Sequence, residues 1–490
     1  MSVHWPIIRR LLTHPTRVAI VDDTRSYRGI DLLVAAMNLA DAIEARSTSP
    51  QVGILLPTSG AFPIATLACW ILGRTPVPLN YLLKSEELQF VVDDCETDLI
   101  LTAGKMLEFL DTPPKVKTLL PIDTLNLARL PSPRLPARPD EEDLAVILYT
   151  SGTSGKPKGV MLTHANLAAN IRQVLQWVHF RRTDVVCGVL PQFHSFGLTV
   201  LTLLPLTAGL KVVFTARFVP TRIVQLFRKY RPAMFVAIPS MYAALLQVKN
   251  AGPRDFASLR FAVSGGEPLP RDIAIRFRER FGITIAEGYG LTETAPVTNW
   301  CRTEEYRPGS VGRPLPEVRQ IIVHPVSGLM LPPGAQGELR ISGPNVMKGY
   351  FKRPAESAAC RDEHGNFCTG DMARFDEDGH LHITGRIKEM LIIGGENVFP
   401  REIEEVLNQH PVVEASAVIG QPDPIRGEIP IAFVETGENT EFDEKSIQAL
   451  CRDRLAGYKV PRRVIRVDAL PRSGTGKILR RELSLNEPRP

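Results

Sequence analysis

Short apolar runs alternate with helix-like patterns along roughly the first 300 residues. An apolar run at 51–56 precedes a helical pattern near 61–72, and 76–80 reads as the next strand. Further apolar runs of this kind lie at 185–190, 210–214, 234–238 and 260–263. Strands that alternate with helices build parallel sheets whose faces the helices cover. The pattern therefore predicts α/β sheets for this part of the chain.

The pattern changes after about residue 298, where glycine and proline punctuate short apolar segments. Segments at 318–323, 337–342 and 379–384 predict a β-rich subdomain. A second α/β pattern begins near Gly385, with strands at 390–393, 415–419, 429–434 and 463–467. A helix that Pro400 opens, a helix at 443–455 and a last helix from Lys477 complete a small predicted α+β domain.

Composition narrows the class of protein. At 490 residues the chain exceeds the size at which one hydrophobic core stops growing, so we expect two or more domains. The formal net charge of +5 is too small for a general nucleic-acid binder. The seven cysteines include no C-x-x-C pair, which disfavours a disulfide framework or a zinc site and favours a reducing cytoplasm. Segment 185–210 lacks charged residues, but prolines and polar side chains interrupt it, so we expect buried core and no membrane span.

A loop rich in glycine, hydroxyl and lysine residues follows the apolar strand at 144–148. In a strand-to-helix loop this mixture suits a polyphosphate, because small residues let backbone N–H groups approach and the lysines offset charge. It is not a Walker loop, because Thr150 stands at the first glycine position and Pro157 follows Lys156. It is not a nucleophile elbow either, because Lys156 takes the last glycine position of G-x-S-x-G.

Four further segments carry suitable chemistry, although each alone also fits an ordinary turn or loop. Segment 264–269 offers bare backbone to a flat ring, and 287–294 offers an aromatic face and a carboxylate for a metal. Thr369-Gly370-Asp371 puts a carboxylate after a turn, where it suits a ribose diol. Segment 385–388 adds a cation. Only their joint presence is specific.

Taken in order along the whole chain, and ending with the basic segment 471–480, these motifs resemble the acyl-CoA synthetases of the adenylate-forming superfamily. Ser154 and the pair Phe367-Cys368 depart from the family's usual residues without removing a chemical group. The resemblance implies a multidomain α/β fold. It has a large N-terminal domain of two α/β sheets plus a β-rich, barrel-like subdomain, and a small mobile α+β C-terminal domain.

The resemblance also implies roles in a first step, in which the acid attacks the α-phosphorus of ATP. Lys477 would be the catalytic lysine, with Thr292, Glu293 and His194 also in the catalytic set, and Glu293 and Thr153 would hold Mg²⁺. The predicted ATP and AMP contacts are Thr150, Ser151, Gly152, Thr153, Ser154, Gly155, Lys156, Lys158, Gly265, Gly266, Glu267, Tyr289, Gly290, Asp371 and Arg386.

In a second step a thiol displaces AMP after the small domain swings. The resemblance implies a hinge at Lys388, within 386–389, between domains at 1–385 and 390–490. Gly394, Gly395 and Glu396 would line a channel for the pantetheine arm of coenzyme A. Lys459 and Arg462 are candidates for its phosphates.

His194 stands in the motif beside the acid pocket, where we expect it to form part of the wall, although it also suits a core position. The apolar surroundings favour a hydrocarbon or aromatic acid, and the resemblance favours medium- or long-chain fatty acids. Two alternatives stay open. The thiol could belong to an acyl carrier protein, or the chain could be an inactive relative that binds ATP or an acyl ligand. Oligomeric state is not predicted.

Overall fold

A computed structural model describes residues 2–150, 156–437, 440–472 and 478–484. The largest sheet has eight strands, parallel at its centre and antiparallel at both ends. In spatial order they are Val297–Trp300, Ala286–Gly290, Phe261–Ser264, Met234–Ala237, Val185–Gly188, Lys211–Phe214, Val18–Val21 and Ser26–Arg28. A second, parallel sheet has the order Thr75–Pro78, Gln51–Ile54, Leu99–Thr102 and Thr118–Pro121. The predicted α/β sheets are confirmed.

Helices pack around these sheets. In the first 360 residues they are His4–Thr13, Gly29–Glu44, Ala61–Ile71, Ser85–Asp94, Gly104–Phe109, His164–Trp177, Leu204–Ala208, Pro220–Tyr230, Pro239–Leu246, Pro253–Phe256, Arg271–Phe281 and Pro354–Ala359. Segment 185–210 is mostly buried, apart from the exposed His194, and contains a π-helix, Phe196–Leu203. Among the described residues, no helix combines the length and apolarity needed to cross a membrane.

The loop predicted to bind polyphosphate joins two strands, so the prediction that it leads into a helix was wrong. Strands Leu144–Thr150 and Lys158–Thr163 pair antiparallel, with Thr150 opposite Lys158, and Gly349–Tyr350 adds a third strand. The helix begins one strand later because Thr163 and Asn166 form its capping box. Residues 151–155 lie outside the described residues.

The β-rich part is an antiparallel sheet with the order Arg319–Val323, Gly337–Ser342, Phe367–Phe375 and Leu381–Arg386. Asp371 therefore lies within a strand and not after a turn, which corrects the sequence prediction. Its neighbour Gly370 has φ +68°, a left-handed conformation that glycine adopts without strain, so the strand continues through a segment that reads as a turn.

The small domain builds a second α+β unit. Its sheet contains Glu396–Val398, Leu391–Ile393, Gly427–Thr436, Val413–Asp423 and Arg463–Val467. Its helices are Pro400–Leu407, with proline in the first turn, and Glu444–Arg454, which Asp443 caps. In the described segment 478–484 a single 3-10 turn, Arg480–Glu482, stands where a helix was predicted.

Apolar cores lie on either side of the predicted hinge. The buried clusters of the large part run from Val3 to Leu381 along the chain, and those of the small part run from Leu391 to Leu470. The predicted hinge at 386–389 falls between them. The predicted multidomain α/β class is thus confirmed, while the domain boundaries stay a prediction.

Candidate active site

A cavity of about 1730 Å³ lies between the large and the small part of the protein. Of the predicted residues, those that line it are Thr150, Lys158, His194, Gly266, Glu267, Tyr289, Gly290, Thr292, Glu293, Asp371, Arg386 and Lys388. They lie on or next to the eight-stranded sheet, the three-stranded sheet and the antiparallel sheet, and at the predicted hinge. The tertiary structure therefore brings together side chains that lie more than 200 residues apart in the chain.

A buried carboxylate marks one part of the cavity. Asp371 is 2% exposed and lies opposite Arg386 on the neighbouring strand, with Nε of Arg386 2.9 Å from Oδ1. The hydroxyl of Tyr289 donates to Oδ2 at 2.5 Å. The negative charge of Asp371 raises the pKa of Arg386, while burial, followed by the same charge, raises the pKa of Tyr289. A buried carboxylate is a suitable acceptor for the two hydroxyls of a diol, because each of its oxygens can accept more than one hydrogen bond.

Cations gather beside this carboxylate. Burial, together with the positive charges of Lys158 and Arg386, lowers the pKa of Lys388. Lys158 forms an ion pair with Glu356, a residue that the sequence analysis missed. Like charges repel unless an anion lies between them, so this end of the cavity suits a polyphosphate.

Hydroxyl and carboxylate groups continue this end of the cavity. Oγ1 of Thr292 lies 3.2 Å from Oγ of Ser195, and both residues are buried. Glu293 accepts a hydrogen bond from the hydroxyl of Tyr350 at 3.0 Å. Sequence reasoning missed Tyr350, because it lies in a two-residue strand, Gly349–Tyr350, without a motif around it.

Two glycines, Gly265 and Gly266, follow strand Phe261–Ser264 beside the cavity. A Cβ on Gly265 would stand 2.8 Å from Cε1 of Phe196, so only glycine allows this approach. Gly266 has φ +85° and lines the cavity, whereas Gly265 supports it from behind. The adenine platform predicted between this segment and Tyr289 stays a prediction.

Another wall of the cavity combines small and apolar side chains with a few polar ones. One face of helix Pro239–Leu246 and its C-terminal extension contributes Ser240, Ala243, Ala244 and Gln247, which recur at helical spacing. Val200, Val236, Val263 and Phe196 face the same space. His194 lines the cavity and is exposed to it, so it does not lie in the core.

The small domain closes the cavity with charged residues that the sequence analysis did not single out: Glu389, Arg401, Glu404 and Arg480. Arg401 donates to the backbone oxygen of Ile383 in the large domain. It also faces Glu287, whose pKa burial raises to about 7, while the charge of Arg401 opposes that rise. The contact between the two domains reveals their place at the cavity, because Arg401 and Glu404 stand in no recognised motif and Arg480 and Glu389 were noted only as parts of segments 471–480 and 386–389.

Some predicted residues lie elsewhere. Gly394 and Gly395 form an exposed turn with φ +62° and +88°, and neither they nor Glu396 lines the cavity. Lys156 lies over the ring of Phe90 at 5.4 Å from the centroid. Lys459 pairs with Glu402 at 2.6 Å. Lys477, together with Ser151, Gly152, Thr153, Ser154 and Gly155, lies outside the described residues.

Among the described residues, the cavity offers Mg²⁺ a carboxylate but not a complete set of protein ligands. Within the described ranges, no group of three or more His, Cys, Asp or Glu side chains is arranged to hold a metal ion. Mg²⁺ is commonly held by one or two carboxylates together with the phosphates of a substrate and water. Glu293, beside the cation-rich end, provides such a carboxylate.

Comparison with known proteins decides the family. The family model described as AMP-binding enzyme matches residues 8–351, and the model for the AMP-binding enzyme C-terminal domain matches 402–477. The chain belongs to the AMP-binding, adenylate-forming enzymes. A feruloyl-CoA synthase from Amycolatopsis sp is 36% identical to this AMP-binding enzyme over 98% of this chain and 97% of its own.

Two further relatives cover nearly the whole of this AMP-binding enzyme. A long-chain-fatty-acid–CoA ligase from Bacillus subtilis (strain 168) is 31% identical over 96% of this chain and 91% of its own. The crystal structure of ATP-bound MatB from Rhodopseudomonas palustris superposes with a TM-score of 0.90 at 30% identity, over 98% of both chains. The protein is thus an acyl-CoA synthetase, an acid-thiol ligase that uses ATP, CoA and a small-molecule acid.

Proposed function

We propose that this synthetase activates a medium- or long-chain fatty acid as its acyl-adenylate and transfers the acyl group to coenzyme A. The observation that carries the proposal is the division of one cavity into a cation-rich end and an apolar wall. Lys158, Arg386 and Lys388 stand at the first, and the face of helix Pro239–Leu246 forms the second. An apolar wall favours an acid with a hydrocarbon body.

In the proposed first step, the acid's carboxylate attacks the α-phosphorus of ATP and pyrophosphate leaves. Asp371 would accept the ribose hydroxyls, and the cations would offset the phosphate charge. Lys477 would draw the carboxylate and the α-phosphate together, because an ammonium group neutralises the repulsion between two anions. Its neighbour Ile478 lines the cavity. Mg²⁺, held by Glu293 and Thr153, would neutralise negative charge on the phosphates.

In the proposed second step, the thiol attacks the acyl-adenylate carbonyl and AMP leaves. The exposed turn at Gly394 and Gly395 cannot guide a thiol in the arrangement described here, because it lies away from the cavity. A rotation of the small domain at Lys388 would bring this turn to the cavity and withdraw the segment around Lys477. On this proposal, the arrangement described here would be the one used in the first step.

A hydroxycinnamic acid is the second candidate substrate, because a relative of matching length is named a feruloyl-CoA synthase. Small side chains at Ser240, Ala243 and Ala244 leave room for a planar ring as well as for an alkyl chain. An acyl carrier protein stays the alternative to coenzyme A as thiol donor. A reducing, cytoplasmic setting is proposed from the seven free cysteines.

Acid-dependent exchange of pyrophosphate into ATP tests the proposal. A graded series of straight-chain acids is compared with ferulate and coumarate. The proposal expects exchange to rise with chain length until the cavity is filled, and to exceed exchange with either aromatic acid. A preference for ferulate would establish the second candidate, and the absence of exchange with every acid would indicate an inactive relative. Thioester formation with coenzyme A and with carrier protein then identifies the thiol.

A further inference from the structure

Two short stretches of chain, which we call the two legs, lie on either side of the segment that contains Lys477. Arg472 and Ile478 form an antiparallel β-bridge, and the N–H of Leu479 donates to the oxygen of Pro471 at 2.7 Å. Residues 470–472 and 478–480 therefore run side by side, and residues 473–477 between them lie outside the described residues. We call these residues the stem. Whatever holds the stem fixes the residues on both sides of segment 473–477.

One carboxylate holds the first leg of the stem. Glu435, on strand Gly427–Thr436, accepts the backbone N–H of Leu470 at 2.6 Å through Oε1. Its Oε2 pairs with Nη2 of Arg472 at 2.9 Å. The first leg is thus attached to the small domain's sheet.

Arg480 attaches the second leg to two carboxylates at once. Its Nε and Nη2 lie 3.1 Å and 2.8 Å from the two oxygens of Glu404, which is a bidentate pair. Its Nη1 lies 3.2 Å from Oε2 of Glu389. Glu404 is on helix Pro400–Leu407, whereas Glu389 directly follows the predicted hinge residue Lys388.

The surroundings of Glu404 restrict the geometry of its ion pair with Arg480. The side chain of Glu404 is only 10% exposed, and its Oε1 also accepts the N–H of Val418 at 2.8 Å. A carboxylate fixed by a backbone group holds its partner in one direction, and the planar guanidinium cannot rotate within a bidentate pair without breaking a bond. Arg480 is 26% exposed, so solvent screens the contacts only in part.

We infer that Arg480 is a positioning residue for the adenylation half-reaction, which ties the stem to helix Pro400–Leu407 and to the end of the hinge. The inference rests on the proposed function, in which Lys477 acts in that half-reaction. All three nitrogens of the Arg480 guanidinium are engaged by Glu404 and Glu389, so we assign this residue to placing the stem.

The expected loss of rate on removing Arg480 follows from how strongly a reaction rate depends on the positions of the reacting groups. A misplacement of about 1 Å can cost on the order of 10²-fold in rate. Removing Arg480 leaves the second leg with its backbone bridge and the packing of Ile478 and Leu483, but without a charged contact to Glu404 or Glu389, so we expect a shift of this size at the stem. Transfer from a finished acyl-adenylate does not require the lysine, so the second half-reaction should be spared.

Arg480→Gln is compared with Arg480→Lys, Glu389→Gln and the control Arg452→Gln. Arg452 is exposed on helix Glu444–Arg454 and bonds only Gln448 among the contacts described, at 3.2 Å. We expect Arg480→Gln to lose on the order of 10²-fold in acid-dependent pyrophosphate exchange through kcat, with little change in KM. Arg480→Lys should lose less, because it keeps the charge without the bidentate geometry. Thioester formation from synthetic acyl-adenylate should stay near the wild-type rate in each.

Several results would overturn the inference. One is wild-type exchange in Arg480→Gln, and another is an equal loss of both half-reactions while the melting temperature is unchanged. If Arg480→Gln fails to fold, Glu389→Gln decides, because it removes one contact and leaves the bidentate pair intact. A selective loss of exchange in that variant supports the inference, whereas unchanged exchange or an equal loss of both half-reactions rejects it. A wild-type enzyme that shows no acid-dependent pyrophosphate exchange would refute the proposed function itself. That result differs from every result that rejects only the inference about Arg480.

Discussion

The hydroxyl of Tyr289 donates to Asp371 at 2.5 Å and thereby connects the eight-stranded sheet to the antiparallel sheet. The same carboxylate pairs with Arg386, which directly precedes the 3-10 turn Ile387–Glu389 at the hinge. The buried carboxylate of Asp371 thus joins two sheets of the large domain at the edge of the small domain. A change at Asp371 should therefore affect nucleotide binding more than the acid end of the cavity.

Asp371→Ala should raise the KM for ATP while the KM for the acid changes little. Loss of the carboxylate leaves the ribose hydroxyls, and Arg386, without a partner, at a cost of about 1–3 kcal/mol. On the order of a tenfold increase in KM is expected from steady-state kinetics. Glu377→Gln, at an exposed position near the same strand, serves as the control. An unchanged KM with wild-type turnover would remove Asp371 from the nucleotide site.

Lys477→Ala should nearly abolish adenylation and leave thioester formation from supplied acyl-adenylate largely intact. The proposed role of its ammonium group, between the acid and the α-phosphate, exists only in the first step. The two half-reactions are measured separately, by pyrophosphate exchange and by thioester release. Equal loss in both assays would show that the lysine has a different role.

Lys388→Pro should preserve adenylation and strongly reduce thioester formation. In the present arrangement Lys388 lies within the 3-10 turn Ile387–Glu389, where φ values near −60° are compatible with proline. A large rotation at this bond is not compatible with proline, so the second arrangement should be lost. Lys388→Ala keeps backbone freedom and should be far milder. If alanine proves as damaging as proline, the ammonium group matters and the hinge assignment fails.

The stability of the large domain should fall in mild acid because of a buried histidine. His164 is 2% exposed, its ring centroid lies 5.6 Å from that of His4, and burial lowers its pKa from 6.5 to about 4. Between these pH values the unfolded chain binds a proton that the folded chain does not. The contribution of His164 to the free energy of unfolding is therefore fully present above about pH 6.5. It declines as the pH falls toward 4, by roughly 3 kcal/mol at most.

Denaturant midpoints at a series of pH values test this expectation. His164→Gln removes the titrating group and should flatten the decline, whereas His179→Gln, at an exposed position, should leave it unchanged. An equal acid-induced decline in His164→Gln and the wild-type protein would assign the pH dependence to other groups.

Much of the fold could be predicted because its signals are local. The apolar runs, the proline that opens helix Pro400–Leu407 and the acidic cap of helix Glu444–Arg454 act over a few residues. Local signals failed where a tertiary partner decides between alternatives. The glycine-rich loop leads into strand Lys158–Thr163 because Leu144–Thr150 and Gly349–Tyr350 supply hydrogen bonds on both sides. Nothing in the residues next to the loop reports those partners.

The sequence by itself determined the type of chemistry and which residues could perform it. Asp371, Tyr289, Lys158 and Glu293 were predicted from their motifs, and the family comparisons agree with that identification at the level of the enzyme class. Their roles in the site stay predictions.

Only the tertiary structure decided which other groups these residues meet. Tyr289 reaches Asp371 across 82 positions, and Arg480 reaches Glu404 across 76. Such contacts depend on how whole sheets and domains pack, so no short segment contains them. The structure also decided that Arg480 faces the cavity while the turn at Gly394 does not. In the arrangement described here, only one face of the small domain meets the cavity.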